Sequence, residues 1–374
     1  MTAMRLREPL DVVRDASGLK EYLEAVELRL DELFGGGSGT VDLAAQHALR
    51  AGGKRLRPLL AFLSSPPGQA PPLAAGVAVE LIHLASLVHD DVLDGARVRR
   101  GAPSTWSEFG RHVALASGDR VFALAFCELA TEGRLSDLAT LAETALALAQ
   151  GEALQRELRF DPDASVEAQL KLCSLKTGSL FAAACRLGAG SNGALGEYGM
   201  ALGIAFQIVD DVLDCVGEAG ETGKAPGSDL REGIPTLPLL FAAELDAAVR
   251  AALAGGPCEG ILDRVAASGA LERALEVAHD YARKACTHLN GGSRRRELEA
   301  LAQAVVERKR LARRPNSKRP RWSRCARSWK RASAWTPPTA WPCTNRAIYS
   351  HSESWPTARG GCAAAETRSS SSAT

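Results

Sequence analysis

Two short acidic runs carry most of the chemistry that this chain's residues imply. Asp90-Asp91-Val92-Leu93-Asp94 and Asp210-Asp211-Val212-Leu213-Asp214 share the pattern Asp-Asp-x-x-Asp. On an α-helix, residues i and i+4 face the same way and i+1 lies about 100° round. Asp90 and Asp94 therefore project together with Asp91 beside them, and Asp210, Asp211 and Asp214 repeat the arrangement. Carboxylates stacked on one helix face repel each other unless a cation sits between them. Mg²⁺ is a hard ion that takes a few carboxylates and completes its shell with phosphate oxygens and water. One such triad reads equally well as a solvated helix end. Two of them, each preceded by an apolar run (Leu81, Ile82, Leu84, Leu87 and Val88; Ile208 and Val209), read as facing metal-binding walls around one diphosphate.

Basic residues supply the opposite sign. Gly52-Gly53-Lys54-Arg55-Leu56-Arg57-Pro58 sets Lys54 and Arg57 three apart beside a glycine pair, and Arg99-Arg100-Gly101 follows Asp94 by five to seven residues. Gly-rich backbone with basic side chains suits phosphate, and guanidinium pairs suit it further. Taken alone, the first of these reads as well as a basic turn. Lys176-Thr177-Gly178 interrupts an apolar helix, either as a tolerated kink or as a further phosphate contact. The Gly/Pro-punctuated stretch from Gly223-Lys224 to Gly233 reads as a flap over the site.

These groups need a scaffold. Apolar residues at helical spacing predict helices over 16–34, 41–51 and 73–98, then 112–131, 136–159, 165–188, 194–216, 236–254, 259–267, 270–289 and 293–311, with an apolar segment opening at 58–63. Strand signals are almost absent. The expected fold is all-α, a helical bundle around a deep central cavity. Residues 1–15 read as an N-terminal extension and 16–312 as the working domain. Residues 313–374 differ in kind: they hold five of the six Trp, and Ile348 is their only Leu, Ile or Val. Of 45 basic and 44 acidic residues, 12 and 2 fall there, leaving 33 and 42 in the body, a net of −9. Such a tail cannot bury enough surface to offset its ordering entropy. It reads as disordered or as out-of-frame translation, ahead of an Arg/Trp segment for RNA or anionic lipid. The nine cysteines are scattered singly with no CxxC spacing, which argues against structural zinc and for a reducing cytosol. No signal core and no bilayer-length apolar run is evident, so a soluble, cytoplasmic protein is expected, with no nucleic-acid partner.

GGKRLRP, LIHLASLVHDDVLDGARVRRG, KTGSLF, FQIVDDVLD and GKAPGSDLREGIPTLP stand in this order, and together they resemble the polyprenyl synthetase family over roughly residues 16–311. The resemblance implies a trans-isoprenyl diphosphate synthase, usually a homodimer. It would join isopentenyl diphosphate head-to-tail to an allylic diphosphate, with Mg²⁺. It implies Lys54, Arg57, His83 and Arg100 as isopentenyl diphosphate ligands, and Arg99, Lys176, Thr177, Gln207 and Lys224 as holders of the allylic diphosphate. Asp90, Asp91, Asp94, Asp210 and Asp214 would bind metal, with Asp211 alongside in the second motif. Asp90, Asp94, Asp210, Asp211, Lys176 and Arg99 would carry the catalysis. A lone His on an apolar helix is usually a core residue, but His83 stands seven residues before Asp90, which favours a ligand. Ile234 replaces a Lys that many members carry, which reads as a subtype marker.

Product length follows from sterics. Ala85 and Ser86, one to one and a half turns before Asp90, are small and leave the path along that helix open. A product longer than C15, of about C30 or more, is expected, with a geranylgeranyl diphosphate synthase as the alternative. A terpene cyclase would need neither GGKRLRP nor the second acidic triad. A non-catalytic partner subunit would be expected to lose acidic residues, and both triads are intact.

Overall fold

A computed structural model describes residues 9–190, 193–216, 227–289 and 294–312. The chain divides into two units, Met1–Pro315 and Asn316–Thr374, and all described residues belong to the first. The expected basic tail at 313–374 and Lys224 lie outside the described residues.

The described residues of the first unit are helical almost throughout. Its helices are α1 (Pro9–Arg14), α2 (Leu19–Phe34), α3 (Thr40–Arg50), α4 (Leu56–Ser64), α5 (Leu73–Asp94), α6 (Thr105–Phe109), α7 (Arg111–Ala130) and α8 (Leu135–Leu158). They continue with α9 (Val166–Cys173), α10 (Ser179–Ala189), α11 (Gly193–Val216), α12 (Ser228–Glu232), α13 (Leu237–Ala243), α14 (Ala247–Leu253), α15 (Ile261–Ala267), α16 (Ala270–Thr287) and α17 (Arg295–Ala312). One two-residue ribbon, β1 (Val98–Arg99) with β2 (Ala102–Pro103), is the only sheet among the described residues.

α5 and α11 carry the two acidic motifs. α5 packs chiefly on α7, and α11 on α16 and α10. Both helices are apolar on nearly every side, as expected of helices deep in a bundle. On α5 the partly exposed positions include His83, Ser86, Leu87, Asp90 and Asp94, spaced i, i+3, i+4, i+7 and i+11. α5 is also the one described helix long and apolar enough, by length and composition, to cross a membrane; 67 % of its apolar window is buried in this bundle. That corrects the expectation that no segment reaches bilayer length. A core helix passes the same test.

Small residues set the crossing of α11. A Cβ on Gly199 would stand 2.6 Å from the Phe181 carbonyl oxygen, and one on Gly203 would stand 2.7 Å from the Gly178 Cα. Backbones this close admit no side chain. Gly199, Gly203, Gln207 and Asp211 repeat every fourth residue, so the same face that admits α10 presents Gln207 and Asp211.

Several boundaries differ from the sequence expectation. The helix expected to run to Val98 ends at Asp94, because Gly95 adopts φ 68° and the Gly95 and Ala96 amides both donate to the Asp91 carbonyl. The ribbon comes next, and its two-residue turn, Arg100-Gly101, has φ of 53° and 79°. Two positive φ values are the mark of a type I′ hairpin. The 165–188 helix is interrupted by a π-helical turn, Ser174–Gly178, in which the Ser179 amide donates to the Ser174 carbonyl. Such turns recur at functional sites. The 236–254 helix breaks at Asp246, whose carboxylate caps α14 by accepting from the Ala248 amide at 2.8 Å. α1 lies inside the expected 1–15 extension and packs on α17, with Val13 buried. Its six residues are too few for a periodic signal.

Candidate active site

The first acidic motif divides its carboxylates. Asp90 and Asp94 lie on the partly exposed stripe of α5, whereas Asp91 is 3 % exposed. Asp91 accepts from Arg99 Nε at 2.9 Å and from Arg99 Nη2, so this pair ties the ribbon to the helix end. Trp106 donates to the Ala96 carbonyl at 2.8 Å and braces the same turn.

Lys176, on the π-turn, lies across from this helix. Its Nζ stands 4.0 Å from Asp90 Oδ2. It also donates to Glu152 Oε2 at 2.9 Å and Gln155 Oε1 at 3.0 Å, both on α8. Gly151 permits this approach, since a Cβ there would meet the Lys176 side chain at 2.7 Å. Burial pushes the Asp90 carboxyl up to about 6; Glu152 and Asp94 push the same way and Lys176 opposes them.

The second motif divides differently. Asp211 is 2 % exposed and accepts from Gln207 Nε2 at 2.8 Å, while Gln207 Oε1 accepts from Thr177 Oγ1 at 2.7 Å. Asp211 Oδ2 is buried with no hydrogen-bond partner, and burial pushes this carboxyl up to about 7. Asp214 accepts from the Ser228 amide and hydroxyl at 3.2 and 2.7 Å and from the Asp229 amide at 3.0 Å. Both its oxygens are thus spent on the first turn of α12. Asp210 is half-buried, and its charge acts on Arg57.

Of the basic residues, Arg57 lies in the field of Asp210. Arg57 stacks over the Phe181 ring, 5.4 Å from its centre. Its guanidinium is pushed down to about 10 by burial, supported by Glu80 and Asp210 and opposed by Arg100. His83, on the partly exposed stripe of α5, is held well below the usual imidazole range by burial and by Arg57, Arg100 and Arg99, so it is neutral near pH 7. Lys54 and Arg100 are exposed. Ala85 is fully buried and Ser86 is half-buried, donating its hydroxyl to the His83 carbonyl at 2.9 Å.

The structure thus brings together Asp90 with Lys176, Asp210 with Arg57, and Thr177 with Gln207. It turns Asp91 and Asp214 to other partners. Among the described residues no three His, Cys, Asp or Glu side chains converge on one point that would hold a metal ion. Glu80, Arg55, Glu152 and Gln155 enter the site without having been expected. Glu80 had a signal, being the only acid of α5 before the motif. Glu152 and Gln155 had none, since charged residues along α8 look like any solvated face.

A polyprenyl synthetase family model matches residues 39–255. The chain is 39 % identical over 285 residues to the nonaprenyl diphosphate synthase of Mycobacterium tuberculosis, covering 70 % of this chain and 85 % of that protein. It is 37 % identical over 277 residues to heptaprenyl diphosphate synthase component 2 of Geobacillus stearothermophilus, covering 71 % and 86 %. Among solved structures it resembles a polyprenyl synthase from Caulobacter crescentus, complexed with calcium and isoprenyl diphosphate, at a TM-score of 0.72 and 34 % identity, over 80 % of this chain and 97 % of that one. Five ordered motifs, an all-α bundle and a family model spanning more than half of the residues agree: the chain belongs to the polyprenyl synthetase family of prenyltransferases.

Proposed function

We propose that this enzyme condenses isopentenyl diphosphate head-to-tail with an allylic diphosphate to give a long-chain all-trans polyprenyl diphosphate. The observation that carries the reading is the pairing of each acidic helix with its own cation. Lys176 stands 4.0 Å from Asp90, and Arg57 lies in the field of Asp210. One half would hold the allylic diphosphate and the other the isopentenyl diphosphate.

Asp90, Asp94 and Asp210 offer hard oxygen donors on half-buried faces, and the raised Asp90 carboxyl is a charge that a divalent cation would relieve. These residues fit Mg²⁺, which when bound would neutralise the allylic diphosphate and make it a better leaving group. Lys176 would pass from Glu152 and Gln155 to the diphosphate and meet the charge that grows there. Thr177 and Gln207 form the wall beside it. Lys54, Arg57 and Arg100 would hold isopentenyl diphosphate, with neutral His83 as a hydrogen-bonding neighbour. The departing diphosphate would take the proton, so no side-chain nucleophile is required. An apolar cavity would keep water from the allylic cation.

Ser86 shares the face of Asp90 and bears no aromatic ring, which leaves room for a chain longer than C15. Purified protein with isopentenyl and farnesyl diphosphates and Mg²⁺ should yield elongated product by mass analysis, and Ser86→Phe should shorten it. No elongation by the chain alone would favour a two-component enzyme, a reading that the likeness to a component 2 protein also supports.

Homodimerisation has its own support. Ala139, Ala142, Leu146, Ala149 and Ala153 form an exposed apolar stripe on α8, with Leu146 60 % exposed. Ala116, Ala123, Cys127 and Ala130 do the same on α7. Heptad-like spacing of small residues suits a second copy of the same helices. Leu146→Glu should convert a dimer to a monomer in light scattering; an unchanged mass would place the interface elsewhere.

A further inference from the structure

Arg57 and Arg100 share a buried neighbour that the proposed reaction does not call for. Glu80 on α5 is 5 % exposed. Its Oε1 accepts from Arg55 Nη1 at 2.9 Å, while its Oε2 is buried with no hydrogen-bond partner. Arg57 Nε is likewise buried and unpartnered. A Cβ built on Gly53 would lie 2.9 Å from Arg55 Nη1, 3.3 Å from Glu80 Oε1 and 3.5 Å from Arg100 Nη1. The heads of Arg55, Arg100 and Glu80 therefore meet over the Gly53 α-carbon, and the charge of Glu80 also supports the Arg57 cation.

Arg55 differs from the other two arginines in having no edge left over. Its Nε and Nη2 donate to the two oxygens of Glu27 at 2.6 and 2.9 Å, and its Nη1 is taken by Glu80. Its side chain is 11 % exposed. Its backbone sits at φ 48°, and Arg100 sits at 53°. A non-glycine residue in that region is strained and persists where its surroundings over-determine it.

A buried carboxylate that loses its partner is a stranded charge and takes the nearest cation. Without Arg55, the charge of Glu80 still acts on Arg57 and Arg100. We propose that Arg55 is a positioning residue of the isopentenyl diphosphate half-site: it saturates Glu80 and so keeps the Arg57 and Arg100 guanidiniums available to a diphosphate. This rests on the assignment of Lys54, Arg57 and Arg100 to that half-site.

The test is steady-state kinetics on the full chain with both substrates varied. Arg55→Gln should raise KM for isopentenyl diphosphate about tenfold or more, and KM for the allylic diphosphate should stay within about twofold. Adding Glu80→Gln to that variant should restore the first KM to within about threefold of the parent, because no stranded charge remains. Arg55→Lys keeps a cation on Glu80 and should also stay within about threefold, which covers the case of an Arg55→Gln chain that does not fold. The proposal is overturned if the double variant is no better than Arg55→Gln, if Arg55→Lys is as impaired as Arg55→Gln, or if both KM values move together with a lowered Tm. Arg57→Gln serves as the control. If it leaves KM for isopentenyl diphosphate unchanged, the half-site assignment fails and takes this proposal with it. If it raises KM and Arg55→Gln does not, this proposal alone fails.

Discussion

The two acidic motifs have the same spelling and different uses. In the first, the middle carboxylate is withdrawn: Asp91 grips Arg99, and Asp90 and Asp94 stay on the half-buried face. In the second, two are withdrawn: Asp211 grips Gln207, and Asp214 holds the start of α12. Asp210 acts on Arg57. The element that succeeds each helix decides the difference. A β-ribbon returns over the end of α5 and brings a guanidinium to the side of Asp91. A short helix begins near the end of α11 and brings two amides and a hydroxyl to Asp214. Equal spacing places carboxylates on a helix equally, but their neighbours determine what charge remains for a ligand.

The sharpest way to break this comparison is to neutralise the carboxylates one at a time. Asp90→Asn and Asp210→Asn should each lower kcat by about 10²-fold or more, because each removes charge that the reacting diphosphate complex would use. Their thermal stability should be unchanged or higher, since repulsion is removed. If Asp210→Asn retains near-parental turnover, the second wall does not act through that residue.

Asp214→Ala should behave in the opposite way. It removes the acceptor for the first turn of α12 and should cost about 0.5–2 kcal/mol of stability, the range of a lost helix cap. Turnover at a temperature well below Tm should fall by about tenfold, less than for Asp90→Asn. Urea unfolding and kinetics on the same samples separate the two effects. A loss of turnover as large as that of Asp90→Asn, with no loss of stability, would show that Asp214 faces the ligand.

Much of this arrangement was legible in the sequence, and the remainder was hidden for physical reasons. α5 and α11 announce themselves by apolar continuity ending in acids, and the basic motifs were legible as candidate phosphate contacts, though not which acid each would meet. The pairing of Asp91 with Arg99 was not legible, because two-residue strands are too short for an alternating signal and Arg100-Gly101 is not a usual hairpin turn. The π-turn under Lys176 has no sequence signal of its own, because it sits inside a helical run with no Gly or Pro before Gly178 to mark it. Ala85 and Ser86 looked equivalent as small residues. The structure separates them: Ala85 is fully buried, so Ala85→Phe would overpack the core at about 1–3 kcal/mol, whereas Ser86 lies on the open face.

The smallest expected effect tests whether Asp211 belongs to the wall or to its backing. Its carboxyl is raised from 3.8 to about 7, first by burial and then by Asp210 and Asp214, with Gln207 opposing. A raised folded-state pKa means that the folded chain binds the proton more tightly than the unfolded chain. Stability from this group is therefore full below about 4 and is lost as pH rises through about 7. Asp211→Asn keeps the shape and an acceptor for Gln207 while removing the titration. The variant should match the parent near pH 4 and exceed it by about 1 kcal/mol or more above pH 7, measured by urea unfolding across that range. Its kcat should fall by less than that of Asp210→Asn, because Asp211 acts through Gln207 and Thr177 and not on the diphosphate itself. A parallel pH dependence in parent and variant would mean that Asp211 is charged and matched in the folded state. It would then count with Asp210 as part of the acidic wall.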